Sequence, residues 1–218
     1  MKFHVAVVAS LLALAATAGA VTFDATNTAS DTAGGQRFNQ DFGLSYAEQV
    51  LSDASIFIWN TFNQPSDADR KPVDTVTLVV ENITGIAFTS GNGIHLSAQY
   101  VGISGDVKNE VTGVLYHEAT HVWQWGLQDY GGHPGHARPL SHSHSSHCRV
   151  PRLLITPANQ NITRADDLAA PKFLDYCDSL SPGFVAVLNS KLKDGYNDDY
   201  FVQILGKDVQ QLWQEYKA

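Results

Sequence analysis

His117-Glu118-Ala119-Thr120-His121, inside the longer run Val114-Leu115-Tyr116 to Trp123-Gln124-Trp125, is the stretch whose spacing specifies both a helix and a chemistry. Histidines four apart lie one above the other on a helix face, so both imidazoles can hold one tetrahedral zinc. Glu118 between them is placed to take a proton from an attacking water and return it, which a basic side chain at that position could not do. At about 100° per residue, Val111, Leu115, Ala119 and Val122 form one apolar stripe, and the two histidines project about 140° from its centre. Val114 and Trp125 flank the histidines, making that second face apolar too. A helix buried on both sides with a polar strip between fits a metal cleft better than a solvated surface. The expectation is a zinc hydrolase, with His117 and His121 as metal ligands and Glu118 as the catalytic base.

Around this helix the chain reads as one α+β domain. Ser45 to Phe62 carries Ala47, Val50, Leu51, Ala54, Ile58 and Phe62 at helical spacing. A polar turn follows from Asn63 to Lys71, and then a strand from Val73 to Glu81 in which Val, Thr and Leu alternate. Ile86 to Thr89 and Gly93 to Val101 read as a hairpin across Ser90-Gly91-Asn92-Gly93, with Ile94 to Tyr100 as an edge strand able to pair with an extended substrate. The motif helix is expected over Asp106 to Gly126. Thr22 to Asn39 is a Thr/Asn/Gly-rich lead to which no regular element is assigned. Gly131 to Pro157 holds five histidines, three arginines and four prolines with no period, and reads as an irregular His-rich loop. Helices resume near Pro171 to Cys177, at Gly183 to Leu192, at Asp198 to Leu205, and at Asp208 to Tyr216 with Asp208 as cap.

The first twenty residues address the compartment. Lys2 and His4 precede the apolar run Val5 to Ala16, and Ala18-Gly19-Ala20 is a small-residue cleavage signature, so residues 1–20 read as a secretory signal peptide. The apolar run is short for a membrane span. Residues 21–218 then form the single domain. The formal net charge is −8 and becomes more negative once Lys2 is removed, which makes nucleic acid and anionic membrane poor partners. Cys148 and Cys177 are the two cysteines, too few for a disulfide scaffold, although an oxidising compartment would permit one bridge. Asn82-Ile83-Thr84 and Asn161-Ile162-Thr163 are N-glycosylation acceptor sequences, so Asn82 and Asn161 are expected at the surface.

The run Val114 to Trp125, the segment Phe173-Leu174-Asp175-Tyr176-Cys177 and the closing block from Gly195-Tyr196 to Tyr216-Lys217 resemble the plant basic secretory protein family. The resemblance implies a secreted, zincin-like metallopeptidase fold, a small mixed sheet packed on helices with the HExxH helix at its centre. It further implies a Zn2+ cofactor, peptide or protein substrates, an extracellular location in the apoplast or cell wall, and a role in plant defence. Despite the family's name this chain is acidic. One departure stands out: the family follows its motif helix with a Gly-rich loop and a second helix reading roughly G-L-I-E-G-I-A-D-Y, whose Glu is the third metal ligand. No such helix is found in residues 131–165, and the next glutamate after Glu118 is Glu215. The extended metzincin pattern is missing as well, because Gln124 and Leu127 stand where Gly and the third His would be. Three accounts remain open. Asp129, His133 or His136 completes the site; the loop holds metal without catalytic geometry; or a frameshift pair or altered splice has scrambled the segment. The chain is therefore a zinc metallopeptidase or a non-catalytic secreted defence or cell-wall protein that keeps the fold.

Overall fold

A computed structural model of the protein describes residues 20–126 and 173–218. Its centre is a four-stranded mixed sheet formed by β1 (Thr22–Asn27), β2 (Thr75–Glu81), β3 (Ala87–Ser90) and β4 (Gly93–Ser97), in the spatial order β1-β2-β4-β3. β1 and β4 both run parallel to β2, and β3 is antiparallel to β4. Strand β2 alternates strictly, so Val76, Leu78 and Val80 all point to one face and are fully buried. Ile94 and Leu96 of β4 extend that apolar surface.

Two long helices cover it. Helix α2 (Leu44–Thr61) lies against β1, helix α4 (Val107–Trp123) lies against β3 and β4, and the two helices pack on each other. Every apolar residue expected on the core face of α2, from Ala47 to Phe62, is buried. The shorter helices α1 (Ala33–Asp41) and α3 (Ala98–Ile103) cross at the other end of the sheet. The C-terminal part consists of α5 (173–180), α6 (Phe184–Lys191), a 3-10 turn at Leu192–Asp194, α7 (Asp199–Leu205) and α8 (Val209–Lys217). Phe173 lies at the centre of its aromatic cluster, with ring centroids 5.0 Å from Trp213 and 5.7 Å from Tyr216. Asp208 caps α8 as expected, accepting the Gln211 N–H at 2.8 Å. Among the described residues no helix is long and apolar enough to cross a membrane.

Three sequence expectations are corrected. The Thr/Asn/Gly-rich lead contains regular structure, β1 and α1. β1 is recruited by its parallel register with β2, a partner 53 residues away between Thr22 and Thr75. α1 starts where the Thr32 hydroxyl accepts the Gly35 N–H at 3.1 Å. The run from Gly93 to Val101 is not one strand. It leaves the sheet at Ser97, whose hydroxyl caps α3 by accepting the Tyr100 N–H. Ile94 to Tyr100 is likewise not an edge, since β4 sits between β2 and β3, and among the described residues the outer strand on this side is β3. The hairpin joining β3 and β4 is present, with Ser90 paired to Gly93 across Gly91, which adopts a φ of +60°.

Helix α1 owes its position to two adjacent glycines. A Cβ on Gly34 would stand 1.7 Å from the carbonyl oxygen of Ala98, so the α1–α3 crossing requires a residue without one. Arg37, one turn later, donates to the carbonyls of Val101, Ser104 and Gly105, satisfying the end of α3 that helix geometry leaves open. Replacing Gly34 with Ala forces two backbones apart in a packed region. The expected loss is at least about 2 kcal/mol of unfolding free energy, read by urea denaturation. An unchanged midpoint would refute the close crossing.

Candidate active site

Helix α4 sets the site by burying its apolar stripe. Val111, Leu115, Ala119 and Val122 are all fully buried, against α2 and the sheet. Asp106 starts the helix by accepting the Asn109 N–H, and Glu110 reaches back to the Gly105 and Asp106 amides. The helix stops at Trp123, short of the expected Gly126. Gln124 turns extended with ψ of 146°, and the buried Asn189 of α6 accepts the N–H of Trp125 at 3.0 Å. Gly126, with a φ of +85°, then packs against Leu192. Trp123 anchors this end through its indole N–H, which donates to Ser55 of α2 at 2.9 Å.

On the opposite face the structure brings His117, Glu118 and His121 together. Nε2 of His117 and Nε2 of His121 face each other at 3.1 Å, with ring planes at 85°. Two nitrogens on one tetrahedral zinc at 2.0–2.1 Å would stand about 3.3 Å apart, so both lone-pair positions converge as a shared ligand requires. Without a metal the same distance is a hydrogen bond between the rings. Val114 and Trp125, expected to close the flanks, are partly buried against the core.

Burial controls the charges. It pushes Glu118 up to about 7, an effect partly offset by the Thr89 hydroxyl, which donates to Oε2 at 2.7 Å. Burial, followed by the nearby His117 and by Lys71, pushes His121 down to about 3, against the opposing influence of Gln124. His121 is therefore neutral over the physiological range, the form that ligates metal. Thr89 is a site residue that the sequence did not reveal. It lies on β3, 29 residues before Glu118, and its hydroxyl also meets the Glu118 carbonyl oxygen at 3.0 Å. No periodicity or short motif carries that pairing, which exists because α4 lies against β3.

Among the described residues no group of three or more His, Cys, Asp or Glu side chains is arranged so that it could hold a metal ion. Glu215 does not supply the missing ligand, because its carboxylate is bound by Lys207 at 2.7 Å and by Tyr176. Asp129, His133, His136 and Asn161 lie outside the described residues, as does the His-rich loop of 131–157. Asn82 is exposed at the end of β2, its side-chain oxygen accepting from Gln99. Cys177 is a buried free thiol, pushed up to about 12 by its surroundings, and Cys148 lies outside the described residues. The ring of Tyr116 lies 5.8 Å from that of Phe57.

With this geometry in place, the comparison with known families is informative. The family model described as a peptidase of plants and bacteria, that of the basic secretory proteins, matches residues 18–216. The chain belongs to this family. The matched span takes in the sheet, α4 and the C-terminal helices of this basic secretory protein, and also the interval 131–165 in which the expected Glu-bearing helix is not legible. No curated protein and no solved structure matches the chain.

The raised Glu118 and depressed His121 make the metal-free fold respond to pH in opposite senses. The Glu118 contribution favours the fold below about pH 4.5 and is lost as pH rises through 7, roughly 3 kcal/mol at most. The His121 contribution is present above pH 6.5 and is lost as pH falls towards 3. Glu118→Gln, which cannot ionise, should therefore unfold at higher urea than wild type at pH 8 in chelator, by roughly 1–3 kcal/mol, and equal it near pH 4.5. Parallel pH profiles for the two proteins would contradict a buried, proton-holding Glu118.

Proposed function

We propose that this protein is a zinc-dependent peptidase with a zincin-like fold, in which His117 and His121 hold the metal through Nε2 and Glu118 is the general base. The observation that carries the reading is the convergence of the two Nε2 atoms to 3.1 Å directly beside a buried carboxyl. Zinc, when bound, would supply Lewis acidity, lowering the pKa of water and polarising a peptide carbonyl. The chain's own residues do the rest. The hydroxyl of Thr89 occupies Oε2 of Glu118, leaving Oε1 to take the proton from water and return it to the departing amine nitrogen. The free edge of β3 runs beside the motif helix, and an extended peptide can add to it as a further strand. For a third protein ligand, Asp129, His133 and His136 are the nearest candidate donors in sequence after the motif, and all three lie outside the described residues.

The same reading makes the protein secreted, acting on peptide or protein substrates in the apoplast or cell wall as part of plant defence. Its support is the N-terminal pattern of Lys2, apolar run and Ala18-Gly19-Ala20, the net charge of −8, which disfavours nucleic acid and anionic membrane as partners, and the exposed acceptor Asn82. A second reading, a non-catalytic secreted protein that keeps the fold, is favoured by one specific observation. At the motif the described residues offer two imidazoles, and Glu215, the next glutamate along the chain, is committed to Lys207.

Elemental mass spectrometry on the protein after mild chelation is expected to find about one zinc per chain, and His117→Ala should lose it. Glu118→Gln should retain the zinc and lower peptide hydrolysis by about 100-fold or more. Retained zinc with no hydrolysis in wild type would favour the non-catalytic reading, and no retained zinc would overturn the metal site.

A further inference from the structure

Successive side chains of β3 point to opposite faces of the sheet, and the two faces meet different surroundings. Thr89 points to the helices, where its hydroxyl holds Glu118, and Ala87 packs against the core. Phe88 points the other way and is 48% exposed, a large apolar side chain in solvent on the strand that is outermost on its side among the described residues. Its ring is nevertheless held in one orientation. Phe88 lies opposite His95 of β4, and the two rings stack with centroids 4.4 Å apart and planes 7° from parallel. Nδ1 of His95 in turn stands 3.1 Å from Oε1 of Glu81 on β2. A row of contacts thus crosses the outer face of the sheet from β2 through β4 to β3. Because the imidazole covers the side of the phenyl ring towards β4, the ring face left open looks outward, over the position that a further strand would take.

We propose that Phe88 is a specificity-determining residue, selecting extended peptides that carry an aromatic or β-branched side chain next in sequence to the residue lying beside Thr89. This rests on the peptidase reading above, in which the substrate adds to β3 as a strand. In such a strand the residue opposite Phe88 shares its face of the sheet, with Cβ atoms about 4.5–5.5 Å apart, close enough to cover the open ring. The residues before and after it turn to the helix side, and one of them lies against Thr89 and so beside Glu118. The side chain read by Phe88 and the bond presented to the base are therefore close neighbours on the peptide. An aromatic or β-branched partner takes exposed phenyl surface out of water, whereas alanine leaves it wet and aspartate sets a charge against it. Since His95 already fixes the ring, little freedom is lost when the partner arrives.

The test uses the full-length protein supplied with zinc and fluorescent peptides identical except at one position, which holds Phe, Val, Ala or Asp and is moved stepwise along the peptide. At a single position Phe and Val are expected to raise kcat/KM over Ala by about 2- to 5-fold, with Asp below Ala. Phe88→Ala should bring that ratio close to one, and Phe88→Tyr, which keeps the ring, should retain it; circular dichroism will show that each variant is folded. No preferred position in wild type, a preference unchanged in Phe88→Ala, or a loss that falls on all four peptides alike would overturn the proposal. The same peptides report binding without cleavage through fluorescence anisotropy. Should none be cleaved while the Phe and Val peptides bind more tightly than the Ala peptide, and Phe88→Ala removes that difference, the peptidase reading fails and the role of Phe88 stands. Binding that ignores the varied position, or no binding at all, overturns it.

Discussion

Burial of the apolar side of helix α4 against α2 and the sheet is the constraint on which the remainder of the structure depends. Val111, Leu115 and Val122 are each fully buried, and a side chain of this kind contributes about 1.5–3 kcal/mol on leaving water. Their sum exceeds the roughly 3 kcal/mol at most that holding Glu118 in its shielded position costs above neutral pH. The helix therefore stays seated although its other face carries a carboxyl and two imidazoles. A less apolar stripe would let the helix rotate or lift, and the polar strip would hydrate.

The sheet holds Glu118, and α6 holds the chain just past the end of the helix. Thr89 comes from the free-edge strand β3 and grips the carboxylate, while Asn189 and Leu192 come from the C-terminal helices and fix the chain just past Gln124. Separated parts of the sequence thus meet around the last two turns of one helix and the residues just beyond it. In such an arrangement the reactive groups gain orientation from neighbours that do not themselves react, and small shifts in those neighbours alter the site. Strand β3 and Glu118 are joined through a single hydroxyl, that of Thr89.

Much of this was legible in the linear chain, and what was not has identifiable causes. The stripe on α2, the alternation of β2, the Gly91-Asn92 hairpin and the Asp208 cap are local patterns, each repeating within a few residues, and each appears where its period placed it. β1 was missed because its residues Thr22 to Asn27 carry little apolar signal, and its strand form comes from backbone pairing with β2. α1 was missed because Gly34 and Gly35 have low helix propensity, yet the same glycines permit the approach to Ala98. The end of β4 was overextended because Ala98-Gln99-Tyr100-Val101 is apolar enough for either state, and the Ser97 cap decided for helix.

By itself the sequence determined the family, the α+β class and the motif helix with its two histidines on one face, because spacing on a helix is a local property set by 3.6 residues per turn. Only the tertiary structure decided that the two Nε2 atoms converge, that β3 rather than β4 is the outer strand among the described residues, and that Thr89 is the immediate partner of Glu118. Those outcomes depend on packing between segments far apart in the chain. They are fixed by the shapes of the buried surfaces, to which no short stretch of sequence corresponds.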